Sequence, residues 1–209
     1  MLYKKTVEKR TLELLIKLQS NPEFSNFYLA GGTALALQIG HRKSIDLDFF
    51  SLHDFDNNYL LEFLEHDFEF YLDYSDKNTL KGSINDIKID ILSHKYPLVK
   101  QVVKYDSIIL YSVEDIIAMK LNAIAGNGTR SKDFIDIYFT LNNYSIEEML
   151  RFYKIKYKTR NILHIIKSLN YFDDVNWQDW PELILEKKLK IEDVKDRIEK
   201  QTNSFLKTL

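Results

Sequence analysis

Two short stretches constrain this chain more than any other feature. SIDLDFF (44–50) and INDIKIDIL (84–92) each alternate apolar and polar residues with a period of two. That pattern suits a strand half-buried in a sheet, because successive side chains point to opposite faces. In the first stretch Ile45, Leu47 and Phe49 share one face, and Asp46 and Asp48 the other. In the second, Ile87, Ile89 and Ile91 stand opposite Lys88 and Asp90. Aspartate is depleted in strands, so these three carboxylates call for an explanation beyond propensity.

Residues i and i+2 of a strand project to the same side, which puts Asp46 and Asp48 within reach of one cation. Mg²⁺ favours hard oxygen ligands and a small number of protein carboxylates completed by substrate phosphates. A third acid from a neighbouring strand completes a two-metal clamp of the phosphoryl-transfer type, and Asp90 is the natural candidate. The D-x-D pair alone is equally compatible with two solvent-facing acids. Asp54, Asp56, Asp73 and Asp76 lie in polar, turn-like stretches and read as solvated.

Ahead of the acidic strand, FYLAGG (27–32) reads as a strand running into a glycine turn, and Thr33 as the cap of a helix that Gly40 stops. Gly31, Gly32 and Thr33 suit close backbone approach by phosphate oxygens at a helix N-terminus. A tight turn needing positive φ is the alternative reading. Arg42 or Lys43, just before the acids, is a candidate to neutralise phosphate, while His41 defaults to a surface residue. Lys120 falls in the apolar stripe of Val113, Ile117 and Ile124. It is either a snorkelling lysine or a cation aimed at a triphosphate. Lys132 and Asp136 share a helical face at i,i+4, the spacing of an ordinary surface ion pair.

The chain has only 6 Gly and 3 Pro, so elements are punctuated mainly by polar turns. Val7, Thr11, Leu14 and Leu18 predict a first amphipathic helix. Further expectations are a short helix over 59–65, a strand near 67–74 and an edge strand over 107–111. Ser112 and Asp115 form a capping box for a helix through Ile124, and Ser131 opens another. The remainder reads as helical, ending in a long charged helix around 182–200 with Glu186–Lys190 and Asp196–Lys200 pairs. The expected fold is therefore α+β, a mixed β-sheet flanked by helices over 1–111 followed by a helical bundle over 112–209. With no cysteine, disulfides and thiolate chemistry are excluded. A net charge of −2 means that a polyanionic partner needs a local basic patch. No apolar run suits a signal peptide or a membrane span, so a soluble, cytoplasmic protein is expected.

Taken in order, FYLAGGTALALQIGHRKSIDLDFFS, IKIDILSHKYP and VEDIIAMKLNAIAGNGTRSKDFIDIYF closely resemble the AbiEii/AbiGii toxin family of nucleotidyltransferases, over roughly residues 25–141. The resemblance implies a minimal polymerase-β-like nucleotidyltransferase core with a helical C-terminal half. It makes Asp46, Asp48 and Asp90 the catalytic metal ligands and places the nucleotide phosphates at Gly32 and Thr33. Lys120, Lys132, Asp133 and Asp136 match later motifs that serve phosphate binding and site geometry. The wider superfamily usually has Gly-Ser and a shorter interval before D-x-D, whereas Gly-Gly-Thr is at home among these toxins.

The expected reaction moves a nucleoside monophosphate from an NTP to an acceptor hydroxyl with two Mg²⁺ ions. The resemblance implies an RNA acceptor, tRNA foremost, a role in growth arrest or phage defence by abortive infection, and a cognate antitoxin. Two other readings stand beside it: a catalytically silent nucleotide-binding module, and a same-fold transferase acting on a small molecule or a protein.

Overall fold

The structure is a computed structural model that describes residues 1–208. Seven strands form one mixed sheet: β1 (Phe27–Ala30), β2 (Leu47–Ser51), β3 (Tyr71–Asp76), β4 (Thr79–Ile84), β5 (Ile87–Ser93), β6 (Val103–Tyr105) and β7 (Ile108–Leu110). Their order is β3-β4-β5-β2-β1-β7-β6, with β2/β5 and β1/β7 parallel and the other pairs antiparallel. Helices α1 (Lys9–Gln19), α2 (Gly31–Ile39) and α3 (Asn57–Phe68) accompany the sheet. Helices α4 (Val113–Gly126), α5 (Ser131–Thr140), α6 (Ile146–Tyr157), α7 (Leu163–Leu169) and α8 (Ile191–Leu206) follow. The fold is α+β, as the sequence pattern requires.

The chain divides into two compact units. One comprises Met1–Pro97 and Gln101–Tyr111, and the other Leu98–Lys100 and Ser112–Leu209. In the sheet unit, cross-strand register builds a row of Leu80, Ile91, Phe49, Leu29 and Leu110, one residue from each of five adjacent strands. All five are fully buried. Phe24 meets Phe49 edge-on at 5.1 Å between ring centroids. Gln19 on α1 is buried but satisfied. Its amide donates to the Phe27 and Ile109 carbonyls at 3.0 and 2.9 Å, and its oxygen accepts from the Ile109 N–H. In the helical unit, α4 packs against α5, α6 and α7, and α8 against the latter three.

Several local expectations are corrected. The 84–92 stretch is not one strand: Asn85 and Asp86 both have positive φ, 49° and 63°, and form a two-residue hairpin turn between β4 and β5. The strand over 107–111 is not an edge, because β7 lies between β1 and β6. The first acidic strand begins at Leu47, leaving Ile45 59% exposed. The charged C-terminal helix starts only at Ile191. Glu186, at φ 47°, accepts from Tyr138 Oη at 2.7 Å, so it is no helix partner of Lys190. Among the described residues, no helix is long and apolar enough to cross a membrane.

Candidate active site

On the sheet face opposite the buried row, alternation and register assemble a second row. Lys81 (β4) is paired with Asp90 (β5), Asp90 with Asp48 (β2), and Asp48 with Ala30 at the end of β1. In-register neighbours share a face with Cβ atoms about 5 Å apart, so two carboxylates stand side by side. Lys81 Nζ holds Asp90 Oδ2 at 2.8 Å. Asp90 Oδ1 is buried and has no hydrogen-bond partner. Leaving such an oxygen unsatisfied costs about 1–3 kcal/mol, so this atom is poised for a cation or a proton.

The glycine turn completes the row. Gly31 follows Ala30 directly and has φ +65°, and a Cβ on it would come 2.0 Å from Asp48 Oδ2. Both the conformation and the close approach require glycine here. At Gly32 a Cβ would come 2.4 Å from Arg42 Nη2, the far end of a flexible side chain. Helix α2 begins at Gly31 with Ala30 as its N-cap and no side-chain cap. The helix thus starts at the glycine turn against the Asp48 carboxylate, with no cap from the N-cap side chain. Thr33 does not cap this helix: its hydroxyl donates to the Asp46 carbonyl and lies 2.8 Å from Ser44 Oγ. It pins the segment that leads into β2.

Asp46 is half-buried and precedes β2, so the i,i+2 strand argument places only Asp48 on the sheet. Arg42 is 3% exposed, lies over Gly32, and donates from Nη1 to the Lys43 carbonyl at 2.9 Å. Lys43 Nζ donates to the Lys5 carbonyl at 2.7 Å. His41 is fully buried, so the expectation of a surface histidine fails.

Lys120, Asp133 and Asp136 come together, but on one another. In the helical unit Lys120 Nζ lies 2.5 Å from Asp133 Oδ1 and 2.8 Å from Asp136 Oδ2, all three residues being buried. Neither a snorkelling tail nor the i,i+4 pair of Lys132 with Asp136 describes this arrangement. Lys132 instead pairs with Asp179 at 2.9 Å. Sequence reasoning missed Lys81. The signal was the Asn85-Asp86 turn: once it is recognised as a hairpin, Ile84 pairs with Ile87 and Lys81 with Asp90.

The donor set suits a hard cation. Among the described residues, no three His, Asp or Glu side chains are grouped as a ready-made metal cage. Mg²⁺ does not need one, since one or two carboxylates plus substrate phosphates suffice. Asp48 and Asp90, with an unpartnered buried oxygen between strands, fit that requirement.

A Gly31→Ala variant tests the turn. It is expected to lose about 1–3 kcal/mol, read as a fall of several degrees in thermal melting, from strained φ and displacement of Asp48. Gly32→Ala should cost clearly less, because only the Arg42 tip must move.

Comparison with known proteins agrees with this architecture. The chain is 32% identical over 183 residues to an uncharacterized protein of Aquifex aeolicus, covering 85% of this chain and 88% of the relative. The nucleotidyltransferase toxin MenT4 of Mycobacterium tuberculosis superposes with a TM-score of 0.62 at 17% identity, covering 95% of this chain and 82% of that one. JHP933 of Helicobacter pylori does so with a TM-score of 0.52 at 20% identity, covering 97% and 99%. These two structural likenesses concern the fold. The family model described as nucleotidyl transferase AbiEii toxin, type IV toxin–antitoxin system, matches residues 13–209, and the chain is thus a nucleotidyltransferase belonging to the AbiEii toxin family.

Proposed function

We propose that this protein transfers a nucleoside monophosphate from an NTP to a hydroxyl of an RNA acceptor, tRNA foremost, with the acid row as the reacting centre. The observation that carries this reading is the pairing of Asp48 with Asp90 beside the Gly31-Gly32 helix start, with Asp90 Oδ1 buried and unpartnered. Triphosphate oxygens accept from the first N–H groups of α2, and the positive end of the helix favours their charge. Asp48 and Asp90 would hold Mg²⁺, with Asp46 proposed as a further ligand, and the ion when bound would supply Lewis-acid stabilisation of the triphosphate and acidify the acceptor hydroxyl. The acceptor oxygen forms a bond to the α-phosphorus while the bond to the bridging oxygen breaks, and pyrophosphate leaves. Lys81 fixes Asp90 Oδ2, and assistance in deprotonating the acceptor hydroxyl is the second role assigned to Asp90. Gly31 lets Asp48 approach the phosphate cradle. The Lys120–Asp133–Asp136 cluster sets the geometry of α4 and α5, and Arg42 supports the backbone at Gly32.

Family membership supports a toxin–antitoxin context, and we propose growth arrest or abortive infection of phage as the role, with a cognate antitoxin encoded alongside. The test is incubation of the full chain with each α-labelled NTP, total RNA and Mg²⁺. Label is expected on RNA, and chelation with EDTA should abolish it. Label on the protein itself or on a small molecule would redirect the acceptor, and no label with any NTP would favour a silent nucleotide-binding module.

A further inference from the structure

The net charge of −2 conceals a sharply uneven distribution. From Met149 to Phe172 there are 24 residues without a single Asp or Glu, and among them stand Arg151, Lys154, Lys156, Lys158, Arg160 and Lys167. This run covers the C-terminal three-quarters of α6, the following turn and α7, all within the helical unit. Lys156 is taken out of it, being fully buried and bound to Asp115 Oδ1 at 2.7 Å. The other five are exposed. Arg151 and Lys154 stand at i and i+3 and so share one face of α6, and Lys158 follows as the left-handed residue that ends the helix. Among the described residues, Lys154, Lys158, Arg160 and Lys167 form no ion pair with a carboxylate. Exposed cations without an ion pair also occur elsewhere, Lys77, Lys88 and Lys187 among them, so what sets this run apart is the lack of any acid within it.

Aromatic rings are interleaved with these charges. Tyr153 and Tyr157 on α6 lie 4.8 Å apart, and Tyr153 lies 6.0 Å from His164 on α7. Tyr157 is half-exposed, and His164 and Tyr171 are exposed. Glu148 of the preceding turn acts on Arg151, but the cations that follow, with no acid among them, attract a polyanion, and ring faces beside them can stack unpaired bases whatever their sequence. An acidic protein segment would use the charges but has no aromatic bases to lay on the rings.

We infer that this α6–α7 strip is where the helical unit binds the phosphate backbone of an RNA. The inference rests on the RNA-acceptor reading above and adds the surface that holds the RNA. It assigns Arg151, Lys154, Lys158, Arg160 and Lys167 to backbone phosphates, and Tyr157 and His164 to exposed bases.

The experiment uses the full chain and fluorescently labelled, unfractionated tRNA, with affinity measured by anisotropy at several salt concentrations. Five phosphate contacts predict log K falling against log salt with a slope of about −4. A triple variant, K154E/K158E/R160E, is expected to bind roughly 100-fold more weakly at moderate salt. Single alanine variants should each flatten the slope by about 1. The variant's NTP affinity and thermal melting should remain those of the wild type, which separates loss of the surface from loss of fold. Wild-type tRNA affinity in the triple variant overturns the strip, and does so even where wild-type protein labels RNA, in which case the acceptor reading stands. Absence of any tRNA binding by the wild type overturns the strip too. If label then appears on a small molecule, the RNA-acceptor reading falls with it while nucleotidyl transfer survives.

Discussion

An Asp48→Asn variant is expected to lose nucleotidyl transfer by on the order of 10³-fold, equivalent to about 4 kcal/mol of transition-state stabilisation. Asp48 stands in register between Asp90 on one side and the end of β1 on the other, so it is the central carboxylate of the row. Asparagine has the same outline, and the close approach of Gly31 to the side chain is preserved. What is lost is one negative charge, the quantity that holds a divalent cation. Removing it also relieves repulsion from the Asp90 carboxylate. The check is the labelled-NTP assay alongside a melting curve. Wild-type transfer by this variant would show that the acid row is not the reacting centre.

The second large effect concerns stability. Asp115→Ala is expected to lower the unfolding free energy by about 3–5 kcal/mol, a drop of about 10 °C or more in melting temperature. Asp115 and Lys156 are both fully buried and paired at 2.7 Å. Asp115 also accepts from Ser112 Oγ at 2.7 Å, from the Val99 N–H at 3.0 Å and from the Lys100 N–H at 3.0 Å. Alanine would orphan all of these donors and leave the Lys156 ammonium buried alone. Lys156→Met should cost distinctly less, because Asp115 keeps its three neutral donors and the methionine chain refills the space. Burial already pulls the Lys156 pKa below its ordinary value, against the opposing pull of the Asp115 hydrogen bond. The unfolded chain therefore holds that proton more tightly. The cost of the charged lysine is full below the folded pKa and fades as pH rises toward the ordinary lysine value. Denaturant titrations of both variants at neutral and alkaline pH test the asymmetry. Equal losses would contradict it.

How far the sequence carries is visible in particular residues. The alternation of Leu47, Asp48 and Phe49, and of Ile89, Asp90 and Ile91, determines which face each side chain takes, and the structure places both acids accordingly. Asp46 escaped that rule because the hydroxyl of Thr33 captures its carbonyl before the strand begins. Strand β4 was hidden by Gly82, where added side-chain bulk would meet Tyr71 and Phe70, and by a turn written as Asn-Asp without glycine. The 182–190 segment has helical charge spacing, yet its partners are distant: Tyr138 draws Glu186 away. Lys120 and Lys156 look alike as single lysines in helices. Only residues 13 and 41 positions away decide that each is an interior counter-ion. Local periodicity is written in neighbouring residues, whereas interior charge pairing is not.

The strap at Leu98–Lys100 bears on how the molecule can be divided. These residues lie ahead of β6 and β7 in the chain but belong to the helical unit, held there by the Asp115 carboxylate. A fragment starting at Ser112 would begin its first helix with that carboxylate stripped of two backbone donors. A fragment ending at Tyr111 would carry a stretch whose natural anchor had been cut away. Proteolytic dissection at the apparent boundary should therefore give pieces less stable than the intact chain.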